Sequence, residues 1–292
     1  MRRVVAIFYI IMCSLPLLGE GKHALVFGLG KQKDTNWSKI HGNNDVALVA
    51  DMLTKAGFKD IRTLIDEQAT KNAMKQAFLG LIRRCQKGDT AYIHYSGHGQ
   101  YMTDVNGDEA ERWTGRHRMW DESWIPYDAF MNYGESDRGE KHFCDDEIAE
   151  LLTLLRKKVG KTGKIYVVID ACHSGDSTRE TESLTGSETL PEELDEGSMR
   201  GVDVEFVMPR PLDMGEGTKL MPEQWMTISA CKPYQLCFEH KSQKVGKLTR
   251  ALWLLGPKLF EMTNGEIQAW LDGYMADHPA RLPQTPVVSG NN

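Results

Sequence analysis

Two apolar runs in this chain stop abruptly at clusters of small and reactive residues. Lys164-Ile165-Tyr166-Val167-Val168-Ile169 runs into Asp170-Ala171-Cys172-His173-Ser174-Gly175, and Thr90-Ala91-Tyr92-Ile93-His94-Tyr95 runs into Ser96-Gly97-His98-Gly99. Short, continuous apolar stretches rich in β-branched and aromatic residues predict buried strands. His23 to Gly28, Ile61 to Ile65 and Trp225 to Ala230 have the same character, and Gln284 to Gly290 predicts a short edge strand. Between them the period turns helical. Val46, Val49, Ala50 and Leu53 share one face behind Asn43 and Asn44, which predict the cap. Thr70 opens a second helix, with Met74, Ala77, Phe78, Leu81, Ile82 and Cys85 on its apolar face. A third begins at Asp145-Asp146-Glu147, acids at the positive end of a helix dipole, and buries Ile148, Leu151, Leu152, Leu155 and Val159. Two more cover Leu248 to Leu255 and Gly265 to Met275. This alternation predicts an α/β fold in three layers, with a mostly parallel central sheet of about six strands and helices on both faces.

Two stretches lack either period. Gln100 to Lys141 predicts a long polar loop, and the acidic, Gly/Ser/Thr-rich Ser177 to Met221 a mobile linker whose basic residues are Arg179, Arg200, Arg210 and Lys219. The 292 residues suffice for one large α/β domain. A formal charge of −6, without basic runs interleaved with aromatics, argues against nucleic acid as a partner. The 6 cysteines show neither CxxC pairs nor finger spacing, so structural zinc and a disulfide scaffold are both disfavoured. At the N-terminus Met1-Arg2-Arg3 precedes an apolar run from Val4 to Leu18, then Gly19-Glu20-Gly21. That run is short for a membrane span, so residues 1–21 read as a signal peptide. They predict an exported, periplasmic or secreted protein with no stable membrane span.

The chemistry is expected at the two strand tips. Ligand sites of open α/β sheets lie at the carboxyl ends of strands. A cysteine at one tip and a histidine at another form a nucleophile–base pair distant in sequence and adjacent in space. Cys172 and His98 are that pair. His173, next to the nucleophile, would face away from it. His94, inside its strand, reads as a structural histidine, and Cys231 and Cys237 as ordinary thiols.

His94-Tyr95-Ser96-Gly97-His98-Gly99, Asp170-Ala171-Cys172-His173-Ser174-Gly175, Ile228-Ser229-Ala230-Cys231 and Gln284-Thr285-Pro286 together resemble the metacaspase branch of the caspase-like peptidases. The resemblance implies a caspase-like three-layer sandwich over residues 22–292. Within it, residues 22–176 would form a large-subunit-like part, 177–222 a flexible linker and 223–292 a small-subunit-like part. It also implies a cysteine endopeptidase working through a Cys172–His98 dyad and a thioester, with the N–H groups of Gly99 and Cys172 as oxyanion donors. Its acidic first pocket would hold Asp45, Ser96 and Asp170 and take Arg or Lys, so the partner would be a polypeptide cut after those residues. No cofactor is required for that chemistry. Calcium, as an activator, would bind near Asp145 and Asp146, whose plainer reading is as helix-start charges; Asp45 too could simply support a helix start. A monomer fits the family better than a dimer. Two other functions stay open, a non-catalytic caspase-like module binding basic peptides or a protein partner, and another Cys–His hydrolase or transpeptidase on the same fold. The linker's Arg and Lys residues are possible self-cleavage sites.

Overall fold

The computed structural model describes residues 21–104, 120–172, 195, 197–202, 204–209, 224–233 and 235–291. The expected sheet is there. Strands β1 (Lys22–Gly28), β2 (Asp60–Ile65), β3 (Thr90–Ser96), β7 (Lys164–Asp170), β8 (Met226–Ser229) and β11 (Val287–Gly290) form a 6-stranded sheet in the order β11-β8-β7-β3-β1-β2. All neighbours pair in parallel except β11, which runs antiparallel along β8 at the edge.

Alternation along each strand divides the apolar side chains between two layers. Ala24, Val26, Tyr92, Tyr166 and Val168 pack on one face, with α1 (Gly42–Lys55), α4 (Lys247–Leu255) and α5 (Asn264–Asp277) over them. Leu25, Phe27, Ala91, Ile93, Ile165 and Val167 face the other way, under α2 (Lys71–Arg84) and α3 (Asp145–Val159). Because both faces are covered, β3 is buried along its whole length, which is why it reads as a continuous apolar run in the sequence. Among the described residues no helix is long and apolar enough to cross a membrane.

Three sequence expectations need correction. First, Asn43 and Asn44 do not cap α1; they lie within its first turn, and His41 is the cap residue. Asn43 instead donates to Asp66 at 3.1 Å, and Asn44 to the Lys244 carbonyl at 2.9 Å. Second, the stretch 100–141 is not simply a loop. β4 (Gly99–Thr103), β5 (Trp120–Trp124) and β6 (Phe143–Cys144) make a separate 3-stranded antiparallel sheet. Its strands carry polar residues such as Gln100 and Ser123 that are buried and hydrogen-bonded, so apolar alternation never marked them. Third, part of the supposed mobile linker is ordered, and it lies across the site described next. Residues 1–20, 105–119, 173–194 and 210–223 fall outside the described residues, and with them most of the signal segment, His173, Arg179, Arg210 and Lys219.

Candidate active site

The parallel register sets the site. Ser96 ends β3 opposite Asp170, which ends β7, so the tails of both strands emerge side by side at one sheet edge. His98 follows one tip and Cys172 the other, and both are buried. The His98 Nε2 lies 2.8 Å from the Ser38 carbonyl, which can only accept, so this nitrogen carries the proton. Nδ1 is then the basic nitrogen, and it has no hydrogen-bond partner among the described residues. Burial lowers the His98 pKa, against the pull of the Ser38 carbonyl and Cys172, so the ring favours the neutral, proton-accepting form. Trp37 packs on this ring at 5.2 Å.

Two other cysteines, Cys231 and Cys237, share the apolar cluster with Cys172. Contact with Cys172 pushes the Cys231 thiol well above its ordinary value, and burial adds to it. All five described cysteines are free thiols. His94 is the structural residue its place in the strand suggested. Burial drives its pKa down to about 4, and its nitrogens meet Tyr92 at 3.3 Å and Thr249 at 3.2 Å.

Asp45, Ser96 and Asp170 do converge. The Ser96 hydroxyl donates to Asp45, Gly246 N–H donates to Asp45 at 3.0 Å, and Thr249 donates to Asp170 through its backbone N–H and hydroxyl at 2.8 and 2.6 Å. Both carboxylates are fully buried and face a guanidinium, that of Arg200. Its Nη1 sits 2.7 Å from Asp45, 3.3 Å from the Asp170 carboxylate and 2.5 Å from the Ser96 hydroxyl. Burial by itself would lower the Arg200 pKa, but Asp45, Asp170 and Glu239 hold it well above its ordinary value. Asp45 therefore lines the pocket as well as standing in the first turn of α1.

The backbone of the same segment completes the arrangement. Residues around Met199 pair antiparallel with Phe238, with Arg200 N–H donating to the Cys237 carbonyl at 3.1 Å. The chain then crosses the site and runs alongside β4, with Gly201 opposite Gly99 and Phe206 opposite Met102. At the crossing the Arg200 carbonyl accepts from Gly99 N–H at 3.3 Å and Cys172 N–H at 3.2 Å. A Cβ on Gly201 would come within 2.5 Å of Cys172 Sγ, so only glycine allows this approach. The segment adds a strand in the manner of a bound peptide, with its side chain in the acidic pocket and its carbonyl on two convergent N–H donors.

The sequence did not point to Arg200 above the linker's other basic residues, nor to Glu239, Thr249 or Ser38. Arg200 and Glu239 are brought in by backbone pairing, Thr249 by the start of α4 and Ser38 by the stretch before α1, and none carries a local signal. Asp145 and Asp146 begin α3. Among the described residues the one convergent group of three metal-capable side chains is His23, Cys85 and Asp89.

Solved structures of similar fold fit this picture. A protein of Geobacter sulfurreducens superimposes with a TM-score of 0.62 over 93% of this chain and 94% of its own, at 18% identity. Caspase-1 from Spodoptera frugiperda superimposes with a TM-score of 0.50 over 93% of this chain and 86% of its own, at 10% identity. The fold and site thus define a caspase-fold protein with a cysteine and a histidine at neighbouring strand tips. A family profile described as the metacaspase, peptidase C14 domain matches residues 22–179, and the chain belongs to that family. Metacaspase-7 of Arabidopsis thaliana is 27% identical over 192 residues, which is 63% of this chain and 42% of that protein. Metacaspase-1 of the same plant is 36% identical over 107 residues, 36% of this chain and 24% of its own. The match thus spans less than half the length of either relative.

Proposed function

We propose that the chain is a cysteine endopeptidase that hydrolyses peptide bonds after Arg or Lys, and that the Arg200–Gly201 bond is one of its own targets. One observation carries the reading. Arg200 occupies the Asp45/Asp170 pocket while its carbonyl rests on the N–H groups of Gly99 and Cys172. In the reaction His98 Nδ1 takes the thiol proton, and the Cys172 sulfur attacks the carbonyl carbon. The Gly99 and Cys172 N–H groups hold the oxyanion. As the C–N bond breaks, His98 returns the proton to the leaving amine, and water then hydrolyses the thioester to a free carboxylate.

The test uses fluorogenic peptides ending in Arg, Lys or Asp, with and without calcium. Turnover after Arg or Lys supports the reading, and loss of it on chelation supports calcium as an activator. Cleavage after Asp alone would reject the acidic pocket. No turnover, together with no selective alkylation of Cys172 at neutral pH, would favour a module that binds basic peptides. A new amide product would mark a transpeptidase. Export through residues 1–21 belongs to the same proposal, and N-terminal sequencing of the secreted protein checks it.

Self-cleavage makes its own prediction. Mass spectrometry of the incubated full chain is expected to show a cut after Arg200, and R200Q to lack it. An uncut Arg200–Gly201 bond in an otherwise active preparation would show that the segment only inhibits.

A pH dependence follows from Asp170. Burial pushes its carboxyl up to about 6, with Asp45 adding to the rise and Arg200 opposing it. A carboxyl raised on folding stabilises the fold fully below its unfolded value of about 3.9. That contribution is lost as pH rises through about 6. Cation recognition has the opposite sign, because only the ionised carboxylate attracts Arg. An emptied pocket also lacks the pull of Arg200, so kcat/KM for Arg peptides is expected to fall on acidification from about pH 6 or above. A pH–rate profile whose acid limb lies entirely below about pH 5 would remove Asp170 from charge recognition.

A further inference from the structure

We propose that Glu239 is the residue by which this pocket selects Arg over Lys. The inference rests on the reading of the Asp45/Asp170 pocket as the first substrate subsite.

The two edges of the Arg200 guanidinium meet different acids. Nη1 takes Asp45, Asp170, the Ser96 hydroxyl and, at 3.2 Å, the Asp170 carbonyl. The other edge belongs to Glu239, whose Oε1 accepts from Nε at 3.1 Å and from Nη2 at 3.0 Å. An ammonium is a compact point charge, whereas a guanidinium presents a rigid fork of donors. A Lys side chain placing its nitrogen at the Nη1 position would satisfy Asp45, Ser96 and Asp170 and leave the Glu239 edge without a donor. The two aspartates can take either cation; Glu239 separates them.

Glu239 is also held in place before any substrate arrives. It is 1% exposed and pairs backbone to backbone with Gly197 and Ser198. His41, the cap residue of α1, donates its N–H to Oε1 at 2.6 Å, and its ring Nδ1 lies 2.7 Å from Oε2. A carboxylate fixed this way cannot swing to follow a shorter or differently shaped cation. With Lys bound it would stay buried facing no positive charge on its pocket side, which costs the wrong occupant its affinity. His41 acts through Glu239 and is a positioning residue.

The pocket's own occupant gives a test independent of catalysis. Four full-length chains, all carrying C172A, are compared: the parent, R200K, E239Q and the double variant R200K/E239Q. Chymotrypsin cutting at the buried Phe206 reports how often the segment opens. R200K is expected to speed that cutting by at least about tenfold when Glu239 is present and by less than about threefold alongside E239Q. Equal acceleration in both backgrounds would overturn the proposal. In chains that retain Cys172, the Arg-to-Lys ratio of kcat/KM on peptides is expected to fall at least about tenfold in E239Q. An equal loss on both substrates would mark Glu239 as merely structural. Should E239Q fail to fold, H41A, which keeps the carboxylate and the backbone N–H to it but removes the ring that holds Oε2, is expected to narrow the same ratio, and an unchanged ratio there would count against the proposal. If the wild-type chain cleaves no peptide, the peptidase reading falls and the chymotrypsin comparison alone decides Glu239.

Discussion

Cys172→Ala is expected to abolish peptide turnover and the cut after Arg200, lowering kcat by at least about 10⁴-fold. On the proposed reading the Cys172 sulfur attacks the carbonyl that rests on the Gly99 and Cys172 N–H groups. Alanine keeps the backbone N–H at that position, so the oxyanion donors remain and only the nucleophile is lost. Arg peptides should therefore still bind, and the variant chain should hold its own segment intact. Removing Cys172 touches an apolar cluster, where replacing a small buried side chain by alanine is mild. A thermal melt beside the kinetics separates lost chemistry from lost fold. Residual turnover within about tenfold of wild type would assign the reaction to another group.

Asp45→Asn is expected to lower kcat/KM for Arg peptides by about 10² to 10³-fold, because stripping one partner from a fully buried charge pair costs roughly 3–5 kcal/mol. The amide nearly preserves the shape of the side chain and can still accept from Gly246 N–H. It no longer offers a negative charge to a guanidinium 2.7 Å away. The same substitution should loosen the Arg200 segment, so that full-length protein is cut by added proteases at residues now shielded. On the proposed reading Asp45 would hold the inhibitory segment and recognise substrate with the same oxygen. Peptide kinetics on protein verified as folded provides the check, and an Arg-peptide kcat/KM within about threefold of wild type would place the recognition elsewhere.

The proposed reading also implies a latent state built on the same contacts. The ordered part of the linker fills the pocket and covers a nucleophile only 1% exposed. Three carboxylates around one guanidinium make that occupant hard to displace by a peptide in solution. Cutting after Arg200 would leave a carboxylate in place of the carbonyl and free the Gly201 end, which is tied to β4 by backbone pairing and by bonds from Gln100 to the Val204 carbonyl and from Met208 N–H to Thr103. On the proposed reading self-inhibition and self-activation would use one set of atoms.

How much of this was legible in the chain differs from residue to residue. The buried face of α3 was read correctly at each of its five positions, because its apolar spacing and its acidic start agree. Thr70 caps α2 as expected, its hydroxyl accepting from Ala73 N–H. The asparagines before α1 misled, since a residue with cap preference can serve a distant partner equally well, as Asn43 does with Asp66. The strands β4 and β5 were missed because their polar residues are satisfied within the structure rather than by solvent, which removes the alternation on which strand reading depends.

The sequence by itself determined the layered sheet and the placing of a histidine and a cysteine at its strand tips; the acids Asp45 and Asp170 beside them were pointed to only by the family resemblance. Local periodicity and strand-end chemistry are sufficient for that, because each is written in consecutive residues. Only the tertiary structure decided which of the linker's basic residues enters the pocket, and that Glu239 closes its far edge. Those contacts join β3, β7, α1 and the segments around residues 200 and 239, and their geometry depends on how the layers pack. A buried guanidinium is stable only where several carboxylates converge, and convergence is a property of the folded chain rather than of any stretch within it.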